Sequence, residues 1–313
     1  MNDDLLQPAG APAPPPLDRF ATGRKLSRVA NASVAEALRG LVQAPAAQAR
    51  RIGITGPPGA GKSTLIAQLA ARRLAGGGRI GVVAIDPTSP FSQGAILGDR
   101  IRMEAVADHP RLFIRSLASR AAHDGLADNL PDILATMDAG GFDEVIVETV
   151  GVGQVEYAVR TLVDTVVVVL TPESGDQVQA IKAGILEIAD IYLVNKADRP
   201  GADRIAAELK SLIGLRKPDP RRWVPPVLQI SVHDAAAHDA ADQAIARHLE
   251  WSAAANAPAD TRRRRAAYHA RSLLERRLAE LLQGLPAERL DCPLPELYRL
   301  LVRALAEDSG AGA

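Results

Sequence analysis

Two short stretches of this 313-residue chain carry reactive residue types at fixed spacing. Gly56-Pro57-Pro58-Gly59-Ala60-Gly61-Lys62-Ser63 fills every fixed position of the pattern G-x-x-x-x-G-K-[S/T]. Glycines let a backbone curl so that several N–H groups face one phosphate. A helix opening near Lys62 adds the positive end of its dipole. Lys62 then neutralises β- and γ-phosphate oxygens, the Ser63 hydroxyl ligates Mg²⁺, and Thr64 is placed to reach an α-phosphate. An ordinary glycine-rich turn between strand and helix is the bland alternative, and it leaves the full pattern unexplained. The second stretch is Asn195-Lys196-Ala197-Asp198, at the end of an apolar segment. A carboxylate at Asp198 accepts two hydrogen bonds from guanine, from the ring N–H and the amino group, and adenine offers no such donor pair. Lys196 would lay its alkyl stem over the base while Asn195 braces the loop. Alone the tetrapeptide also fits a helix N-cap turn. Ser231, closing the next apolar segment, is the expected second base contact through its loop backbone.

Further carboxylates are candidates for a metal shell. Glu148 ends an apolar segment, the position from which a P-loop protein commonly holds Mg²⁺, often through water. Gly151 follows at the distance where its N–H can meet a γ-phosphate. Asp86 and Asp99 either join the metal or cap local turns. Residues 87–103 are polar and rich in turn formers, as expected of a loop that orders around γ-phosphate and Mg²⁺.

These loops need a rigid frame. Apolar runs at 51–55, 79–85, 111–115, 144–149, 164–170, 191–195 and 227–231 read as strands. Helical spacing at 63–74, 125–138, 178–187 and 202–212 separates several of them. This alternation predicts an α/β fold with a mostly parallel sheet covered by helices on both faces. Residues 1–17 hold five prolines and read as a disordered tail. Residues 18–49 read as two N-terminal helices broken at Asn31-Ala32-Ser33. The nucleotide-binding domain is expected over 50–251, and a helical extension over 252–313. Beyond Val232 helices are expected at 240–251, which closes that domain, and at 261–282 and 293–305 in the extension, with a linker at 252–258.

Composition sets limits. Apolar residues make up 47% and aromatics 3%, so the core must be aliphatic. Lys+Arg and Asp+Glu are both 37, a balance that gives no pull toward nucleic acid or an anionic membrane. No apolar run reaches the ~18–20 residues that span a bilayer, and the start does not resemble a signal peptide. The cytoplasm is the expected location. The single Cys292 excludes an internal disulfide and reads as a buried small residue. The six histidines, His123 and His233 among them, show no ligand spacing. Four consecutive arginines at 262–265 read as a solvated or interface face of a helix.

Several longer strings now add up. Asp86-Pro87-Thr88-Ser89, Gly94 through Met103, and Glu148-Thr149-Val150-Gly151-Val152-Gly153-Gln154 are three of them. Gly175-Asp176, Ile181 through Ile185 and Asn195 to Asp198 complete the set. Together they resemble the MeaB/ArgK family, P-loop GTPase chaperones of cobalamin-dependent, methylmalonyl-CoA-type acyl-CoA mutases. The resemblance runs from about residue 24 to 251. It implies a homodimer that binds such a mutase, gates adenosylcobalamin loading and protects the cofactor. It also implies hydrolysis of GTP to GDP that is slow alone and stimulated by the mutase. The family's nucleotide roles fall on Lys62, Ser63, Asn195 and Asp198, and its Mg²⁺ roles on Ser63, Asp86, Asp99 and Glu148. Residues 171–182 resemble a third switch in which Lys182 is a catalytic or coupling cation, and the helical tail resembles a dimerisation arm. The chain departs from the family at 116–125, where a Pro-Ser-Pro-Ser-like run is usual. It departs again at Ser231-Val232-His233-Asp234, where a small residue and glycines are usual. Both departures point to a divergent branch whose partner is a mutase other than the methylmalonyl one. Two other readings share the fold. A metal-insertion GTPase needs Cys or His ligands near the switch loops. A small-molecule kinase predicts ATP use, which the guanine motif opposes.

Overall fold

The computed structural model describes residues 15–40, 48–86, 103–118, 126, 129–149, 154–173, 188–215, 217, 219, 221–255 and 257–310. Among these residues seven strands form one sheet: β1 (Arg50–Thr55), β2 (Ile80–Asp86), β3 (Leu112–Ala118), β4 (Glu144–Thr149), β5 (Thr165–Leu170), β6 (Ile191–Val194) and β7 (Val227–Gln229). The order is β3-β2-β4-β1-β5-β6-β7, and every pairing is parallel. β4, β5 and β6 are buried at every position, as β-branched strands covered on both faces must be. Two aliphatic clusters fill the two faces, with Val145, Val147 and Val168 on one side and Ile52, Ile146 and Val167 on the other.

β1 is the pivot of the topology. Its neighbours β4 and β5 lie on opposite sides, so the connections diverge at its C-terminal end. Such a switch point opens a crevice where ligands bind in doubly wound sheets. The register aligns the ends: Ile54 lies beside Glu148, Thr55 beside Val168, and Val194 beside Leu170. The segments after β1, β4 and β6 therefore leave the sheet at one edge.

The helices are α1 (Arg19–Ala30), α2 (Val34–Gly40), α3 (Lys62–Ala75), α4 (Glu104–Ala107), α5 (Leu130–Ala139) and α6 (Gln154–Leu162). They continue as α7 (Ala202–Gly214), α8 (Ala235–Ala254), α9 (Ala257–Gly284), α10 (Ala287–Leu290) and α11 (Leu294–Gly310). The predicted break at Asn31-Ala32-Ser33 is present. Ser33 and Glu36 form a capping box there, with Ser33 N–H donating to Glu36 Oε2 at 2.9 Å and Glu36 N–H to Ser33 Oγ at 3.3 Å.

Several expectations need correction. α5 opens at Leu130 rather than 125, because Pro131 belongs in a first turn where its missing N–H costs nothing. α6 was not anticipated. β3 is seven residues long, and β7 only three. α8 runs to Ala254 and α9 begins at Ala257, so helix covers most of the linker expected at 252–258. Residues 15–17 are docked rather than part of a loose tail: Leu17 N–H donates to Pro110 O at 2.9 Å and Arg79 to Pro15 O at 2.7 Å. Cys292 is not fully buried, and its thiol lies 3.0 Å from Arg289 O. The helix expected at 178–187 lies outside the described residues. Among the described residues no helix is long and apolar enough to cross a membrane.

The first part of the C-terminal extension packs onto its own core. Arg265, one of the four arginines, is buried; it donates to Leu162 O at 2.9 Å and pairs with Asp164 at 2.9 Å. Further along α9, His269 (Nε2 at 2.6 Å) and Arg276 converge on Asp132, which is 3% exposed. Arg276 also reaches Ala32 O at 2.9 Å, and Glu280 accepts the Val34 N–H at 2.9 Å. The expectation of a solvated or interface face therefore fails at Arg265, because its neighbours in space supply buried acceptors. Removing one member of a buried ion pair strands the other charge. Asp132→Ala is expected to lower unfolding free energy by about 3 kcal/mol in urea titrations. A loss under about 1 kcal/mol would mean that these contacts contribute little.

Candidate functional site

β1 delivers the phosphate-loop sequence at the central crevice. Gly56 has φ +146°, and an added Cβ would lie 2.1 Å from Val169 O, a backbone atom that cannot yield. Gly59 and Gly61 have φ of +73° and +85°, in the left-handed region that glycine enters without steric cost. A Cβ on Gly61 would lie 2.3 Å from Asn195 Nδ2. The Gly61 position is thus where two distant loops touch.

Lys62 opens α3 and is 5% exposed. Its Nζ donates to Gly56 O and Pro57 O, each at 2.9 Å, so the ammonium is folded over the loop. Ser63 is buried, and its hydroxyl donates to Glu148 Oε1 at 3.0 Å. Glu148, the penultimate residue of β4, is 5% exposed. A hydroxyl and a buried carboxylate at this separation form a hard-oxygen pair that suits a small divalent cation. Thr64 and Pro58 are exposed, whereas Pro57 and Ala60 are buried. Asp86 ends β2 in register with Ala118, at the same edge of the sheet as Glu148. Asp99, Gly151 and Lys182 lie outside the described residues, as does 119–125 of the divergent stretch.

The second loop is fixed from both sides. Asn195 N–H donates to Leu170 O at 2.7 Å, and Ala197 N–H to Ile230 O at 3.0 Å. Asn195 Nδ2 donates to Ala60 O at 2.7 Å, which ties this loop to the phosphate loop. Lys196 has φ +57°, a left-handed conformation uncommon outside glycine. Asp198 is exposed, and its carboxylate accepts the Ser231 hydroxyl at 2.9 Å. That bond, and then Asp198's own backbone, hold its carboxyl below the usual carboxylate range. It therefore stays an ionised acceptor well below neutral pH. Ser231 was expected to contact the base through its loop backbone; its side chain lies on Asp198. At the rim, Arg199 pairs with Glu173 at 2.5 Å and holds that carboxyl at about 2.

One neighbour escaped the sequence reading. His238, in α8, lies 3.0 Å through Nε2 from Ser231 O. It belongs to no local motif, and nothing in the linear pattern marks it.

Similarity to known proteins agrees with this geometry. A family model described as methylmalonyl Co-A mutase-associated GTPase MeaB matches residues 24–287. A Pyrococcus horikoshii protein named as a GTPase is 38% identical over 294 residues, 93% of this chain and 90% of that one. The mouse mitochondrial methylmalonic aciduria type A homolog is 39% identical over 184 residues, 58% of this chain and 44% of that protein. Among solved structures, an LAO/AO transport system kinase matches with a TM-score of 0.60 at 22% identity. It covers 93% of this chain and 99% of its own, and it shows the shared fold. With most of its length matched by the family model and by a full-length relative, this chain is a GTPase of the MeaB family.

Proposed function

We propose that this chain is the GTPase chaperone of a cobalamin-dependent acyl-CoA mutase, gating adenosylcobalamin loading and protecting the cofactor. The observation that carries the nucleotide part is the joining of two loops. The Lys62–Ser63–Glu148 cluster and the 195–198 loop meet through Asn195 and Ala60. The partner assignment rests on the family model and on the name of the mouse relative.

In this reading the backbone N–H groups of 56–61, with Lys62, Ser63 and Thr64, cradle the phosphates. Mg²⁺ is held by Ser63 and Glu148, with Asp86 and Asp99 completing its shell. Bound there, it neutralises charge on the phosphate oxygens. Lys62 stabilises the transferring phosphoryl group. Gly151 meets the γ-phosphate, and Lys182 couples the 171–182 segment to the partner. Asp198 and Lys196 take the guanine, with Ser231 beside them. Turnover is slow alone and accelerated by the mutase, so the useful output is a conformation that hydrolysis resets.

The chain acts as a homodimer in this reading. One side of α9 is tied to its own core through Arg265, His269 and Arg276, and the segment beyond it offers the arm a further surface. There Leu294, Tyr298 and Val302 are 76%, 67% and 45% exposed and line one face of α11 at i, i+4 and i+8. An apolar stripe of this kind suits a second copy better than water.

Three measurements test these assignments. Lys62→Ala is expected to abolish GTP binding in calorimetry while the thermal unfolding profile stays unchanged; wild-type binding would refute the phosphate site. Asp198→Asn exchanges an acceptor for a donor, so it should weaken GTP by about 100-fold and favour xanthosine triphosphate, whose 2-oxo group accepts. GTP turnover should rise when one acyl-CoA mutase is added, and ATP, as the control substrate, should show no such rise. Turnover that no such mutase stimulates would remove the chaperone assignment and leave the GTPase.

A further inference from the structure

We propose that His238 is a positioning residue for guanine selection: its imidazole fixes the Ser231 carbonyl, and Ser231 in turn fixes the Asp198 carboxylate. The proposal rests on the reading that Asp198 takes the base.

The segment after β7 is held at one point by the sheet, where Ile230 N–H donates to Val194 O at 2.9 Å. Beyond it come Ser231-Val232-His233-Asp234, with Val232 exposed. No glycine is present to shape a tight loop, so the shape must come from contacts. Ser231 gathers them. Its carbonyl accepts the Asp234 N–H at 3.0 Å and His238 Nε2 at 3.0 Å. Its hydroxyl accepts the His233 N–H at 3.4 Å and donates to Asp198 Oδ1 at 2.9 Å. The backbone is clamped by two donors, and the His233 N–H occupies one side of the hydroxyl oxygen, which leaves its hydrogen turned in another direction. That direction is the carboxylate.

His238 is suited to the clamp by its placement. Asp234 caps α8 by accepting the Ala237 N–H at 3.0 Å, which sets the first turn. His238 follows in that helix, 4% exposed, and so does not swing with solvent. Burial lowers its pKa below the ordinary imidazole value, so the ring is neutral at neutral pH. A neutral ring has one N–H, and donation to Ser231 O assigns it to Nε2. Nδ1 is then buried with no hydrogen-bond partner among the described residues. A buried imidazole with one satisfied nitrogen is a poor core residue. An apolar ring would pack there at less cost, unless the one bond it makes is the point.

The carboxylate has four lone-pair sites. With one Oδ1 site taken by Ser231, its rotation is restrained, and the remaining sites can present two parallel acceptors. Guanine offers two donors to such an edge, whereas hypoxanthine offers only the ring N–H. A misaligned carboxylate keeps one bond more readily than two. The signature of the positioning role is therefore a change in the ratio of GDP to IDP affinity. A packing role alone would not move that ratio.

His238→Phe keeps a buried ring and removes the donor, and His238→Gln restores a donor on an amide nitrogen. Calorimetry with GDP and IDP on the full chain, with thermal unfolding alongside, tests the idea. His238→Phe is expected to weaken GDP about tenfold and IDP only about twofold. His238→Gln should recover most of the difference. Equal weakening of GDP and IDP, or unchanged affinities for both, would overturn the positioning role. Asp198→Asn serves as the control for the underlying reading. If it binds GDP as the wild type does, the base assignment itself fails. If it loses GDP while His238→Phe does not, only the role of His238 fails.

Discussion

A single amide holds the two halves of the site together. The Asn195 carboxamide donates to the Ala60 carbonyl, across a gap that stays open because position 61 has no Cβ. Phosphates and base lie at opposite ends of a nucleotide, so loops from strands far apart in sequence must keep a fixed separation. Sheet register sets that separation coarsely, by bringing the ends of β1, β4 and β6 to one edge. The amide sets it finely. Gly61 is thus required twice, once for its left-handed φ and once for the room it leaves.

Around this joint the polar groups are buried and paired rather than loose. Lys62 is held by two carbonyls of its own loop, and Ser63 is held by Glu148. Preorganised groups of this kind lose little freedom when a ligand arrives, and in a water-poor crevice their charges act at greater strength. The base loop differs. Asp198 and Ser231 hydrogen-bond at the surface, where solvent competes, so their alignment depends on what braces the backbone beneath them.

The legible parts of the molecule were contiguous ones. The phosphate loop, the 195–198 loop and the buried strands each carry their signal within a few residues. Backbone curl, base edges and parallel sheets demand particular residue types at short spacing. The break at Asn31-Ala32-Ser33 is similarly local. What escaped depends on neighbours distant in sequence. Arg265 looks like any exposed arginine in a run until Leu162 and Asp164 are placed beside it. His238 looks like a helix histidine until Ser231 arrives from the preceding turn. Cys292 was assigned to the interior on residue type alone, and it lies in a thin helical extension with little interior to offer. The start of α5 was misplaced for a different reason. Pro131 was a usable local signal, since it favours a first turn, but the helical spacing was extended across it.

The anchoring of α6 constrains how the site can communicate with the rest of the chain. Leu162 O, at the end of that helix, accepts from Arg51 at 3.4 Å and from Arg265 at 2.9 Å. Asp164, just beyond, accepts the Arg51 N–H at 2.8 Å and pairs with Arg265. The C-terminal end of α6 is therefore fixed to β1 and to α9 together. Glu148, at the other end of the connection, is fixed by β4 pairing with both β1 and β2. Packed elements with buried ion pairs do not deform continuously. A shift that reached α9 would have to break the Arg265 contacts as a unit, and that requirement separates local adjustment around the phosphates from a change that the C-terminal helices would feel.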